Sequence, residues 1–354
     1  MLNRLTLLGT GVATSAALVL GAPLAANASA DWHGGIVQHN LISDQPGKAE
    51  LTDPLLGNAW GISRGPETSI WVSNPNTSTV TIYRGGVPGT PLTEVKPSIS
   101  VPGGPPSGQV FNDTKGFEIP GTGQPARFVF AGLAGGITAW NQGTASVQVA
   151  HTDTAAYSGL ALLHGRSGPQ LAAADFHNGR IDLFDSKFHK ISTGHRFQDR
   201  TIPDGFAPFN IQEVGDRVFV MYAKQDANKA MEVRAPGLGF VDQYRTDGSL
   251  VGRLASRGVL NAPFGVTLAP KHFGKYSGKL LVGNLGDGRI NVYDVHSGRY
   301  DGFLTDTKHQ PIALEGLWGL VQGNDTAGGA NAVWFASGPG ANGEHGLVGT
   351  LTAE

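Results

Sequence analysis

Along most of this chain apolar and polar residues alternate one by one in short runs, the pattern of strands that bury one face. Thr79-Val80-Thr81-Ile82-Tyr83, Arg180-Ile181-Asp182-Leu183-Phe184-Asp185 and Arg289-Ile290-Asn291-Val292-Tyr293-Asp294 are three such runs. Each follows a shorter, almost wholly apolar run: Ile70-Trp71-Val72, Leu171-Ala172-Ala173 and Leu280-Leu281-Val282. The turns between them are rich in Gly, Asn and Asp, and Asn178-Gly179 and Asp287-Gly288 supply the positive-φ residues that tight hairpins need. Few segments carry apolar residues at helical spacing, so the pattern predicts an all-β chain.

The strands recur in groups. A motif of aromatic or small residue, then Gly or Asn, then aliphatic residue opens each group. It reads Asn58-Ala59-Trp60-Gly61-Ile62, Lys115-Gly116-Phe117-Glu118-Ile119, Tyr157-Ser158-Gly159-Leu160-Ala161, Pro208-Phe209-Asn210-Ile211, Pro263-Phe264-Gly265-Val266 and Leu317-Trp318-Gly319-Leu320. The period is roughly 43 to 56 residues, the length of one four-stranded propeller blade. The small residue suits an innermost strand, because such strands converge on the axis and leave no room for a side chain. Trp60, Phe264 and Trp318 are then expected as core, packed between blades.

The ends complete the picture. Residues 35–42 form a strand before the first motif, and residues 346–352 supply only a third strand after the sixth. Pairing the N-terminal strand outermost in the last blade closes the ring and removes an exposed edge. The expected fold is therefore an all-β, six-bladed β-propeller over residues 31–354. Seven blades is the alternative count. Two β-sandwiches would need a linker near the middle, and the sequence shows no low-complexity break there.

Composition narrows the class further. Residues 1–30 read as a signal peptide: Arg4, an uncharged run from Leu5 to Leu20, and Ala28-Ser29-Ala30 before Asp31. That run is shorter than the roughly 20 residues of a bilayer span, so the mature protein is expected to be secreted, extracellular and without a membrane span. Lys and Arg number 26 against 28 Asp and Glu, with no basic stripe, which argues against nucleic acid as a partner. Cysteine is absent, so neither disulfides nor a thiol nucleophile are available. A monomer is expected.

The segment Asp175-Phe176-His177-Asn178-Gly179-Arg180-Ile181-Asp182-Leu183-Phe184-Asp185 resembles the NHL-type repeats of six-bladed propellers. Nearly the whole mature chain is similar to a family of exported bacterial β-propeller proteins that has no assigned activity. Asp44-Gln45-Pro46-Gly47, Gly108-Gln109-Val110-Phe111-Asn112, Tyr222-Ala223-Lys224-Gln225-Asp226 and Glu315-Gly316-Leu317-Trp318-Gly319-Leu320 carry the likeness, with the Asn58–Ile62 and Ala207–Ile211 segments. Some members of that family end in a PEP-CTERM-type sorting tail. This chain stops at Glu354, which favours a released protein.

In an up-and-down blade the loop entering the inner strand and the turn between second and third strands lie on one face, where functional side chains gather. Ligand contacts are expected there from Asn58, Asn210, Gln225, Asn284 and Glu315. A calcium site on the axis, similar to that of gluconolactonase-type propellers, could be built from Glu315, Asn58, Asn210 and Asn261, since Ca²⁺ takes hard oxygen ligands. His177, Lys224 and Asp226 are the catalytic candidates, with His as base and Lys as oxyanion stabiliser. The stretch from Tyr222 to about Phe240 is long for a blade and reads as a lid or binding loop. Val101–Gly108 reads as a stiff spacer on the rim.

Two functions follow. One is binding of a small molecule or extracellular partner on the loop face over the channel. The other is a calcium-assisted hydrolase or lactonase-like enzyme at the channel mouth, which requires a concave pocket where Glu315, His177, Lys224 and Asp226 converge.

Overall fold

The computed structural model of the protein describes residues 34–87 and 89–354, so the expected signal peptide lies outside the described residues. Six sheets, antiparallel except for the short strand Leu51–Thr52 that pairs parallel with Ile36–Ser43, form a six-bladed β-propeller; a seventh, two-stranded sheet of Glu118–Ile119 and Gln124–Pro125 lies beside blade two. The innermost strands are Ile62–Ser63, Pro106–Phe111, Tyr157–Gly165, Phe206–Val214, Pro263–Leu268 and Leu317–Gln322. Blade four, the most regular, continues outward through Arg217–Lys224, Gly239–Tyr244 and Leu250–Ser256. Blade six receives the N-terminal strand Ile36–Ser43, which pairs antiparallel with Leu347–Ala353 from Ile36↔Ala353 to Ser43↔Leu347. The expected closure is therefore present. Helical structure among the described residues is confined to two single turns, Pro75–Thr77 and Gly274–Tyr276, and no helix is long and apolar enough to cross a membrane.

Alternation along the strands sorts side chains between neighbouring blades. In blade three, Leu160, Leu162, Leu171, Ala173 and Phe184 pack with Val129, Ala131 and Ile137 of blade two. Their alternates Ala161, Leu163, Ala172, Ala174 and Leu183 pack with Ile211, Val218 and Val220 of blade four. Burying both faces of every sheet is what makes the inner runs apolar throughout.

One blade differs from the sequence reading. Lys115–Ile119 is not the inner strand of blade two; Pro106–Phe111 is, so residues 106–108 of the expected rim spacer lie at the axis instead. Phe117 sits in an insertion that follows, with positive φ, and packs its ring 5.3 Å from that of Phe188. The motif misled because an aromatic beside glycine suits a buried loop as well as a strand.

With that correction the axial position is filled by Gly61, Gly108, Gly159, Asn210, Gly265 and Gly319. A Cβ on Gly61 would lie 2.1 Å from the Ser107 carbonyl oxygen, and one on Gly108 2.4 Å from Leu160 N. Close approach of neighbouring backbones explains the glycine. Asn210 fits because its amide crosses to the next blade and donates to the Phe264 carbonyl at 2.9 Å.

Candidate functional site

The aromatic residue beside each small residue decides what the channel holds. Trp60, Phe264 and Trp318 were expected between blades, yet with Phe209 they turn inward and meet over the axis. Trp60 and Trp318 stack with ring centroids 3.4 Å apart, and Phe264 stands edge-on to both at 5.9 and 5.0 Å. Both indole N–H groups are satisfied: Trp60 donates to the Ser158 carbonyl at 3.1 Å and Trp318 to Asn58 Oδ1 at 2.9 Å. The second and third blades carry Ser107 and Ser158 at this level, which makes room for the larger rings. The cluster plugs the channel and separates its two mouths.

On the expected loop face the plug floors a cavity of about 280 Å³. Trp60, Trp318, Phe176 and Phe209 form its base, Leu133 and Leu285 its sides, and Asn58 and Asn76 part of its rim. Met231, Glu232 and Arg234 reach it from the segment between Lys224 and Gly239, and Ala341, Asn342 and Gly343 from blade six. The long blade-four loop thus covers the chamber, as its length predicted. Met231 at its tip is 58% exposed. Arg234 Nε donates to Glu232 Oε1 at 2.7 Å, and the Arg234 side chain remains partly exposed.

Two of the three residues expected to perform chemistry, Asp226 and His177, brace this lid. Asp226 Oδ1 accepts from the backbone of Ala230 and Met231 at 2.8 and 3.3 Å, closing the tip. Gln225 Nε2 donates to the carbonyls of Phe176 and His177 at 2.5 and 3.2 Å, tying the lid to blade three. His177 Nδ1 lies 3.1 Å from the Lys229 carbonyl. Lys224 points away, donating to the Asp204 carbonyl at 3.3 Å with its ammonium 5.3 Å from the Phe206 ring centre. Glu315 is exposed and accepts from Gly340 N at 3.1 Å. None of Glu315, His177, Lys224 and Asp226 lines the chamber.

Among the other expected contacts, Asn58 lines the chamber but spends its oxygen on Trp318. Asn284 is fully buried and knits its turn, accepting from Asn261 N at 3.1 Å and donating to the Val259 carbonyl at 2.8 Å. Asn210 lines the cavity at the opposite mouth, beyond the plug, and Asn261 and Glu315 line neither cavity. The four expected calcium ligands therefore share no cavity. Among the described residues no group of three or more His, Asp or Glu is placed to hold a metal ion.

The opposite mouth holds a cluster that the sequence reading missed. Its cavity is about 370 Å³ and is lined by Arg64, Asp113, His164 and Glu213 from blades one to four. His164 Nε2 lies 2.8 Å from Asp113 Oδ1, and His164 Nδ1 lies 3.0 Å from Glu213 Oε2. Burial lowers the affinity of His164 for a proton, but the bonds to Asp113 and Glu213 outweigh it and raise the imidazole above its usual value. Burial raises Glu213 against the opposing pull of His164. One imidazole thus clasps three blades. Asp113 and His164 each stand five residues past an axial glycine, so aligning the repeats on Gly108 would have exposed the pair.

The chain matches no family model. It is 33% identical over 303 residues to Uncharacterized protein L690 of Acanthamoeba polyphaga mimivirus, covering 79% of this chain and 77% of that one. Uncharacterized protein R648 of the same virus is 32% identical over 304 residues, covering 79% and 72%. This chain belongs to their family. Among solved structures, a protein of unknown function from Bacteroides thetaiotaomicron VPI-5482 superposes with a TM-score of 0.55 at 13% identity, over 91% of this family member and 76% of that chain. The PQQ-bound aldose sugar dehydrogenase of Streptomyces coelicolor gives 0.51 at 12%, over 91% and 98%. A catalytically inactive virginiamycin B lyase from Staphylococcus aureus, bound to quinupristin, gives 0.52 at 11%, over 90% and 99%. At such identities the likeness establishes the propeller fold.

Proposed function

We propose that this propeller is a binding protein whose ligand is a small, largely apolar and ring-bearing molecule held in the lidded chamber. The observation that carries the reading is the chamber's floor: four aromatic rings from four different blades, roofed by a loop with an exposed methionine. Aromatic and Met side chains give contact area without demanding a particular polar pattern. The rim offers a guanidinium, Arg234, to an acidic group on the ligand. Of the expected catalytic residues, His177 and Asp226 brace the lid, Lys224 points away from it, and none stands on the chamber wall, so a hydrolase reading has no assembled machinery to rest on.

The test uses 1-anilinonaphthalene-8-sulfonate, whose rings suit the floor and whose sulfonate suits Arg234. Its fluorescence is expected to rise on addition of folded protein and saturate at one site. Met231→Asp places a charge over the apolar chamber, and Arg234→Ala removes the anion partner; each is expected to weaken binding by about tenfold. Equal binding to wild type and both variants, all with unchanged melting, would sink the reading.

A further inference from the structure

The second mouth carries charges that the lidded chamber does not use. Arg64 is half-buried on blade one; it donates to the Gln322 and Gly65 carbonyls at 2.6 and 3.4 Å. Among the described residues it pairs with no carboxylate, and its cavity is open to a ligand. Asp113, from the neighbouring blade, gives one oxygen to His164 and has a side chain 53% exposed. A cation and an anion therefore face one cavity from adjacent blades without touching each other.

The charge count points to the kind of ligand. Arg64 is positive and Asp113 negative, and the two cancel across the cavity, while His164 and Glu213 are bonded to each other at 3.0 Å. An ion of single sign would enter a partly desolvated site with no net opposite charge to receive it. A molecule carrying both signs on neighbouring atoms would match Arg64 and Asp113 together. The remaining wall is mixed: the polar side chains of Gln109, Asn210 and Gln212 stand beside Leu162, Ile211 and Leu320, which are themselves almost fully buried. A cavity of about 370 Å³ lies within the range that holds small ligands.

We infer that the opposite mouth is a second binding site, for a free α-amino acid. Its carboxylate would sit on the Arg64 guanidinium, whose planar fork matches two oxygens. Its ammonium would meet the free oxygen of Asp113, and its side chain would extend along the cavity wall past Gln109 and Gln212. Glu213 holds His164 in place, which in turn fixes Asp113. The site is separated from the lidded chamber by the aromatic plug and does not depend on what that chamber binds.

Titration calorimetry and thermal melting with L-leucine test the inference. The controls are 4-methylpentanoate, which lacks the ammonium, and 3-methylbutylamine, which lacks the carboxylate. L-leucine at about 10 mM is expected to raise the melting temperature and to bind at one site, as a ligand specific to the folded state must. Each half-molecule is expected to bind at least about tenfold more weakly. Arg64→Met and Asp113→Asn should each weaken leucine to a similar degree, Arg64→Lys less, and Met231→Asp at the other mouth not at all. The inference is overturned if leucine gives neither heat nor a melting shift, or if the half-molecules bind as well. It is equally overturned if Arg64→Lys and Asp113→Asn, folded as judged by melting, bind leucine as wild type does.

Discussion

The axial residue differs in one blade: five carry glycine and blade four carries Asn210. Its Oδ1 accepts from Ile211 N at 2.9 Å while its Nδ2 reaches the Phe264 carbonyl, so the side chain is a cross-blade tie. Room for it comes from Gly159, where a Cβ would lie 2.1 Å from Asn210 Oδ1 and 2.8 Å from its Cα. Gly159→Ala must displace either the amide or a backbone, and overpacking of this kind costs about 2 kcal/mol. Gly252 lies in an outer strand with open space around it, so Gly252→Ala is expected within about 0.5 kcal/mol of wild type. Urea denaturation of the two variants checks the contrast; equal stabilities would mean that the axis is not tightly packed. Four of the five axial glycines, Gly61, Gly159, Gly265 and Gly319, are legible in the sequence as a repeat, while Gly108 is hidden behind the Gly116 motif. Asn210 was not legible as a tie, because its partner stands a whole blade away.

Among elements, the N-terminal strand decides whether the ring is closed. Ile36–Ser43 covers the open edge of Leu347–Ala353, and Ile42 and Leu41 pack with Trp334 and Val348. A chain starting at Asp44 leaves a row of unpaired backbone groups on a strand that pairs on only one side, which invites aggregation. It is expected to elute as soluble oligomers and to melt far below the intact protein by size-exclusion chromatography and circular dichroism. A peptide of residues 34–43 added in trans should restore the monomer by adding back the missing strand; a truncated chain with wild-type melting would show that closure contributes little. The blade-four lid is the other element with a clear task. Its length is readable in the sequence, but the side chains that fasten it also suit a site: Asp226 and His177 fit catalysis and Gln225 fits ligand contact until their partners are known.

Over the whole molecule, the His164 clasp links folding to pH. An imidazole raised above its unfolded value of 6.5 contributes stability that is fully present below that value and is lost as pH rises through the folded value. Glu213 is also raised, from 4.5, so the folded state favours its protonated form and loses that advantage as pH climbs past 4.5. Asp242, buried beside Arg253 in blade four, is pushed up to about 7 by burial despite that partner, and acts in the same direction between 3.8 and about 7. These three groups together are expected to lower the melting temperature as pH rises from about 5 to 8, which thermal melts across that range check. His164→Asn should flatten the upper part of that profile, with the wild type and variant converging toward high pH. A variant profile parallel to wild type would remove the clasp from the account. Because blades share their buried faces and the ring is closed, a single unfolding transition is expected throughout the range.

What the sequence determined by itself is local and periodic: all-β structure, the six repeats, the turn glycines and the closing strand. Alternation of side chains and turn chemistry act over a few residues, and repetition multiplies the signal, so the propeller follows without a tertiary map. The true inner strand of blade two was decided only by pairing, because Phe117 beside Gly116 satisfies a local pattern that Pro106–Phe111 fits against its neighbours. The sites were decided by tertiary structure altogether. Asp113, His164 and Glu213 stand 51 and 49 residues apart in sequence, and Trp60 meets Trp318 only when the ring closes. Circular closure brings the same level of every blade to one axis, so the residues that meet there come from the whole length of the chain.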